Sequence, residues 1–431
     1  MIESVEVKNF KCFRGNKRFD LGRVTLPAGV NGVGKSSLIQ GLLLIRQSYP
    51  DWNELRLNGD LLELGQPGDA FCTDAEDDEL RFALTLRNRR TEMGPAKGVT
   101  ITGYVDENGN FHGPTLARNK GLSLAELDPE TKKVRVIGNQ QVLNPGEEQP
   151  GKQLDWRYRF TEDRFERVEA PNDLGDCALF GPECHYLSAD RWGPRRLLPM
   201  SRHDITHGNL GKYGEYTAHY LEAFGGRRLP EINAKLPVRN PDEGKDLLHQ
   251  VQAWLNELSP GTRLEPKIFR ELDESTLTFA FRGELGYSRS YRATNVGFGL
   301  SYTLPIIVAL LSLPPGGLVM LENPEAHLHP RGQTIIGRLM ALAAAAGVQV
   351  VVETHSDHVL NGIRIAVREG LLAPELAVFH YFTRTEQGAV EIDSPRIDAE
   401  GKLDSWPEGF FDEGIKSLAA LSSRRARGRR R

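Results

Sequence analysis

Gly29-Val30-Asn31-Gly32-Val33-Gly34-Lys35-Ser36 satisfies G-x-x-x-x-G-K-[ST] at every fixed position. Glycines at those places let successive backbone N–H groups curl around the α- and β-phosphates of a nucleotide. Lys35 would reach the β- and γ-phosphates, and Ser36 would hold Mg²⁺. The cradle is expected to run through Asn31, Gly32, Val33, Gly34, Lys35, Ser36 and Ser37, with a helix N-terminus favouring the anion. The chemistry predicted is binding of a nucleoside triphosphate with Mg²⁺.

A second landmark is Val319 to Pro330 (VMLENPEAHLHP). An apolar strand ending in an acid is the Walker B layout, so Glu322 is expected to reach Mg²⁺ through water at the strand's C-terminal edge. A third, Val350 to His358 (VVVETHSDH), delivers His355 to the same edge. His327, His329, His355 and His358 could instead be read as zinc or manganese ligands. Two neighbouring strands of a parallel sheet would set both motifs beside the P-loop, and that reading is preferred. The fourth landmark, Asn295 to Ser301 (NVGFGLS), is a glycine-rich loop opening an apolar helix, a second place to grip phosphate.

The elements that must position these residues are visible in the hydropathy pattern. Ile2 to Val7 alternates as a half-exposed strand does. Val24 to Leu26 is a short strand running into the P-loop, and Ser37 to Gln47 is an apolar helix. From Arg87 to Pro182 the chain is polar and turn-rich with short β-like pieces, which predicts an inserted lobe. Tyr213 to Leu258 reads as helical. Asn295 to Val352 then gives helix, strand, helix, strand, with Leu318 to Leu321 and Val348 to Val352 as buried strands.

Composition bounds the alternatives. The 431 residues are 26% charged and 39% hydrophobic with a net charge of −4, an ordinary globular balance rather than that of a strongly basic nucleic-acid binder. No apolar run reaches the roughly 18 residues needed to span a bilayer, so no membrane association is expected. Cys12, Cys72, Cys177 and Cys184 do not make a disulfide framework. With no signal-peptide pattern at Met1-Ile2-Glu3, the expectation is a cytoplasmic protein.

The order of these motifs resembles the ABC-type ATPases of the SMC-like group, and within it the AAA-labelled ATPases related to overcoming-lysogenization-defect proteins. The phrases NFKCF (Asn9 to Phe13), YLSADRWGPR (Tyr186 to Arg195), GEYTAHYL (Gly214 to Leu221) and SWPEGFFDE (Ser405 to Glu413) are similar to a subfamily with a short C-terminal domain. Relatives of this kind occur in bacterial anti-phage systems of the Septu, PARIS and retron types, usually beside an effector. The resemblance implies an α/β fold: an ABC-type P-loop NTPase head, its mixed or parallel sheet flanked by helices, with a β-rich inserted lobe. The corresponding division is residues 1–86 as the first half of the head and 87–182 as the lobe. A helical lobe and linker over 183–290, the second half of the head over 291–385 and a C-terminal domain over 386–431 complete it.

The resemblance also implies function. Two heads would pair head to tail around two ATP molecules. Asn295, Gly297, Gly299 and Ser301 of one head would cap the γ-phosphate held by Lys35 and Ser36 of the other. His355 matches a switch histidine that contacts γ-phosphate, Lys11 a basic residue reaching the nucleotide, and Gln66 a Q-loop residue beside the metal. One departure stands out: where ABC ATPases follow the Walker B acid with a catalytic glutamate, this chain has Asn323, which has no titratable carboxylate. Glu322 would then combine two roles, Glu325 would supply the base, or hydrolysis would be slow; slow hydrolysis is the reading preferred.

The expectation is a homo-oligomeric ATPase acting as sensor or regulator for a partner effector, a nuclease or toxin, in anti-phage defence. The alternatives are a stand-alone DNA-binding or repair ATPase and an ATP-dependent scaffold that does not hydrolyse. Arg424 to Arg431, with six arginines in eight residues, is either a non-specific nucleic-acid anchor or a solubilising end. Asp190 to Arg196 reads as a basic surface loop, with a link between lobe and ATP site as the alternative. Cys177, Cys184 and His185 have no recognised zinc spacing and read as core or surface groups. The chain after His358 is too short for a Toprim nuclease domain, so any cutting of nucleic acid would fall to another chain.

Overall fold

The computed structural model describes residues 1–49, 55–87, 102–105, 111–112, 124–127, 133–136, 152–161, 164–169, 177–229, 244–407, 409–411 and 413–422. Two compact units separate: Met1–Leu86 with Gln153–Arg431, and Arg87–Lys152. The basic run Arg424 to Arg431 lies outside the described residues, as does much of the stretch from Arg87 to Pro182.

The first unit opens with β1 (Ile2–Phe10), β2 (Phe13–Asp20), β3 (Val24–Gly29), α1 (Lys35–Ser48), the short α2 (Pro67–Ala70) and β4 (Glu79–Leu86). The second unit carries β5 (Thr102–Val105), β6 (Phe111–His112), β7 (Leu124–Leu127) and β8 (Lys133–Val136), a sheet in the order β6-β5-β8-β7. The chain continues through β9 (Lys152–Thr161), β10 (Arg164–Glu169), β11 (Cys184–Leu187), β12 (Leu198–Pro199), α3 (Arg202–Thr206), α4 (Thr217–Phe224) and α5 (Leu247–Leu258). A β-rich stretch follows: β13 (Thr262–Phe269), β14 (Glu274–Gly283), β15 (Gly286–Tyr287) and β16 (Tyr291–Arg292). The last part holds α6 (Phe298–Ser312), β17 (Leu318–Glu322), α7 (Pro330–Ala345), β18 (Gln349–Glu353), α8 (Asp357–Arg368), β19 (Ala377–Arg384), β20 (Val390–Asp393) and α9 (Glu413–Ser422).

Six strands form the central sheet in the order β11-β17-β18-β3-β19-β20, parallel from β11 through β19 and closed by antiparallel β20. The interior positions of β17 and β18 are apolar because each face meets a separate core. Val319, Leu321, Val350 and Val352 enter a core built with α4 to α8, while Leu318, Met320 and Val351 enter one built with α1, β1, β2, β4 and β9. Burying one such side chain stabilises by roughly 1.5–3 kcal/mol, so a strand of this kind accepts a polar residue only at its ends. Glu322 and Glu353 occupy those ends.

The second core lies beneath an antiparallel sheet, β10-β9-β4-β1-β2, in which Trp156 and Tyr158 are fully buried. Gln349 ties the chain's start to the central sheet: its amide accepts from Ile2 N at 2.9 Å and donates to Ile2 O at 2.7 Å. β9 and β10 belong to this sheet of the first unit, although they fall within residues 87–182.

The helical expectation for residues 183–290 needs correction. β11 is an integral strand of the central sheet, pairing Tyr186 with Met320, and β13 and β14 form a long antiparallel pair in register from Thr262–Phe281 to Phe269–Glu274. The alternation in Glu274 to Gly283 (ESTLTFAFRG) encodes that strand: Leu277 and Phe279 join the first core, while Thr276 and Thr278 point the other way and donate to backbone carbonyls.

Candidate functional site

Because β17, β18 and β3 run parallel, their C-terminal ends share one edge, where α/β sheets place ligands. Glu322 sits opposite Glu353, and the P-loop leaves the sheet at Gly29, opposite Phe382 of β19. The loop closes at Gly34, whose φ of 104° and tight approach to the Cys12 sulfur leave no room for a side chain. No side chain caps α1 and no acid stands in its first turn, so the positive dipole end of the helix is open to an anion.

Lys35 is only 3% exposed and donates its ammonium to the Val30 carbonyl at 2.8 Å, folded back along the loop. Burial draws its pKa below the usual lysine value, with Glu353 opposing. Ser36 Oγ donates to Glu353 Oε1 at 3.0 Å. Glu322 accepts from the Tyr186 hydroxyl at 3.1 Å and from the Ala189 N–H at 3.2 Å. Burial pushes both carboxyls above the ordinary glutamate range: Ala189, Tyr186 and Arg191 partly offset it at Glu322, while Glu322 and Glu325 add to it at Glu353.

That donor set suits Mg²⁺, a hard cation that takes oxygen ligands through one or two carboxylates and retains waters. Ser36, Glu353 and Glu322 would hold it, and a divalent charge there would favour the ionised form of both carboxyls. Among the described residues no three His, Cys, Asp or Glu side chains converge as a transition-metal site. His327 packs its ring at a tilt to Phe298 and edge-on to Tyr302, with ring centroids 4.4 and 4.9 Å away, and His329 caps α7.

Other expected site residues fall in different places. Asn31 and Gly32 are exposed at the loop's apex, whereas the Val33 side chain is buried beneath it. Ser37 does not face a ligand: its N–H donates to Gly34 O and its hydroxyl lies against the Cys12 sulfur. Lys11 reaches Gln40 of α1 at 2.7 Å, and Gln66 starts α2 with its N–H held by Asp69.

Glu325 accepts from the Thr354 hydroxyl at 2.6 Å and the His355 N–H at 2.7 Å, so both its oxygens brace the turn after β18. His355 is exposed; partial desolvation and nearby Lys35 lower its pKa and keep the ring neutral at pH 7. In the glycine-rich loop, Asn295, Gly297 and Phe298 are exposed. Ser301 is not: it lies one turn inside α6, 7% exposed, its buried hydroxyl without a hydrogen-bond partner among the described residues. Gly299 also faces its own chain, where a Cβ would stand 2.7 Å from the His327 carbonyl.

Sequence reasoning passed over three side chains. Glu353 ends an apolar strand just as Glu322 does, a signal present in VVVE beside LVMLE. Arg384, at the end of β19, donates to Gly32 O at 3.0 Å because β19 outruns its neighbour β3 alongside the P-loop. Arg191 is 3% exposed, so the turn Asp190 to Arg196 is not simply a surface loop.

Sheet order and P-loop geometry define an α/β P-loop nucleotide-binding protein. Residues 130–361 match the family model described as "AAA domain, putative AbiEii toxin, Type IV TA system", more than half of the chain, and the chain belongs to that family. Residues 372–421 match a second model, "Protein of unknown function (DUF3696)". The first match begins beyond the P-loop, so Gly29 to Ser36 is separate support for nucleotide binding. No curated protein matches the chain.

Among solved structures, the chain is similar at 12% identity to an SMC head bound to the C-winged helix domain of ScpA, covering 92% of this chain and 98% of that one with a TM-score of 0.45. An SMC head domain from Thermotoga maritima is 11% identical over 92% and 99%, with a TM-score of 0.38. An Smc head with an extended coiled coil, bound to the C-terminal domain of ScpA derived from Pyrococcus furiosus, is 12% identical over 98% and 99%, with a TM-score of 0.44. The fold assignment rests on strand order and the P-loop rather than on these scores. Among the described residues no helix is long and apolar enough to cross a membrane.

Proposed function

We propose that this protein is an ABC-type ATPase that binds ATP–Mg²⁺ at the P-loop and pairs head to tail around it, hydrolysing slowly. The observation that carries this reading is the gathering of Lys35, Ser36, Glu322 and Glu353 at one sheet edge, with Ser36 already bonded to Glu353. Lys35 and the N–H groups of the loop and α1 bind phosphate. Ser36, Glu353 and Glu322 hold the cation, which would neutralise charge on the phosphates. His355 presents a neutral imidazole near the γ-phosphate position.

The exposed glycine-rich loop supports pairing, with Asn295, Gly297 and Phe298 as the surface offered to a second head; Phe298 is 46% exposed. Slow turnover follows from Asn323, which cannot take a proton, and from Glu325, whose oxygens are both engaged. The same two residues favour a second reading, an assembly that ATP holds together without hydrolysis. In either case the state of the paired heads would hold or release a partner effector, in a cytoplasmic anti-phage role in keeping with the toxin–antitoxin wording of the family description.

Gly297→Arg tests the pairing. A Cβ at Gly297 would meet nothing within 4 Å among the described residues, so the fold and ATP affinity should survive. Wild type should double in particle mass with ATP, and the variant should not. Unchanged assembly of the variant would refute pairing through this loop.

A further inference from the structure

Arg191 is a buried guanidinium without a carboxylate. Among the described residues no acid pairs with it, and it is satisfied by backbone carbonyls. Nη1 donates to Ser188 O at 2.7 Å and to Glu322 O at 2.6 Å, Nη2 to Asn323 O at 2.7 Å and Nε to Tyr302 O at 3.3 Å. Its guanidinium carbon sits 4.6 Å from the centre of the Tyr302 ring. Burying a charge is unfavourable unless the site is built for it, and a fork of fixed donors suits three separate segments better than a point charge would.

Those segments are the end of the Walker B strand, the turn after β11 and the second turn of α6. Asn323 holds the left-handed region at φ 44°, an uncommon conformation that needs support; Arg191 fixes its carbonyl and Glu353 O accepts its N–H at 2.9 Å. The short segment from Tyr186 to Gly193 touches everything else that matters here. Tyr186 and Ala189 donate to the Glu322 carboxylate, the Tyr302 hydroxyl donates to Ala189 O, and Gly193 lies so close under the Phe298 ring that a Cβ would collide with it.

We infer that Arg191 is a positioning residue that makes the Asn295-to-Gly299 loop and the Glu322 carboxylate move as one, so that contact at the loop sets the metal-binding edge. The inference rests on the ABC-type reading above. Docking of a second head on Phe298 displaces α6 at Tyr302; Arg191 carries that displacement to the carbonyls of Glu322 and Asn323. A structural filler would not need four hydrogen bonds divided over three segments.

The test compares wild type, Arg191→Lys, Arg191→Met and Gly193→Ala for melting temperature, ATP affinity, ATP-dependent particle mass and phosphate release. Lysine keeps the charge but lacks the fork. Gly193→Ala pushes on Phe298 without touching Arg191. The expected pattern is unchanged ATP affinity in Arg191→Lys and Gly193→Ala, with pairing and turnover reduced by about tenfold or more. Arg191→Lys or Gly193→Ala pairing and turning over as wild type does would overturn the inference, as would losses of affinity and pairing in equal proportion. Should both Arg191 variants fail to fold, Gly193→Ala alone decides. A wild type that neither binds ATP nor pairs would sink the underlying reading instead.

Discussion

Ser36 Oγ donates to Glu353 Oε1 across 3.0 Å, joining the first turn of α1 to the end of β18. The bond brings the P-loop hydroxyl to a second strand-end carboxylate, beside Glu322, where the proposed cation would sit. Glu353→Gln should therefore weaken ATP binding by about tenfold or more when Mg²⁺ is present and leave metal-free ATP binding unchanged. Titration calorimetry with and without Mg²⁺ checks this, and equal losses in both would remove Glu353 from the metal site.

Lys35→Ala removes the one buried ammonium of the loop. ATP affinity should fall by about a hundredfold, in keeping with a desolvated, charge-assisted contact. Fluorescent-nucleotide titration reads the result directly. Retained affinity would overturn the P-loop assignment.

The raised pKa values of Glu322 and Glu353 make a signed prediction about acid. A carboxyl whose folded pKa exceeds its unfolded value binds protons more tightly when folded, so these two groups oppose folding at neutral pH. Their penalty is relieved as pH falls through the folded pKa, and the benefit is complete only below the unfolded one. Melting temperature of the nucleotide-free protein, corrected with the Glu322→Gln and Glu353→Gln variants, should show this contribution rising from pH 7 towards the ordinary glutamate range. Stabilisation by Mg²⁺ and ATP should shrink over the same window. A stabilisation independent of pH there would mean that neither carboxyl meets the cation.

Met320→Ala probes the sheet rather than the site. The side chain is fully buried in the core beneath α1, and its truncation should cost about 2–5 kcal/mol. Urea unfolding measures it. A loss below 1 kcal/mol, on the order of a surface change, would contradict the two-faced burial of β17.

Arg384 reaches the P-loop from the segment matched by the second family model. Arg384→Ala should weaken ATP binding several-fold, and the deficit should shrink as salt is raised, since the side chain is exposed. Affinity insensitive to this change at every salt concentration would limit Arg384 to bracing Gly32.

Much of this site is legible in the sequence because short-range rules govern it. The P-loop needs glycines at set positions, and strands buried on both faces need unbroken apolar runs, so Lys35, Ser36 and Glu322 declare themselves. Glu353 carried the same signal and was obscured by the histidines that follow it. Ser301 misleads because α6 begins at Phe298, which turns the serine inward; a one-turn error in a helix start exchanges an exposed face for a buried one. Arg191 is illegible locally, since its partners Tyr302, Glu322 and Asn323 lie more than a hundred residues away along the chain. The β13–β14 pair was missed for a related reason: its strands gain their meaning from each other and from the helices they cover.

Phosphate release and particle mass, measured together with ATP–Mg²⁺ for wild type and Glu322→Gln, test the central claim most directly. The account predicts slow phosphate release by wild type and an ATP-held pair that accumulates in Glu322→Gln. A monomer in both proteins, at ATP concentrations that saturate binding, would contradict it.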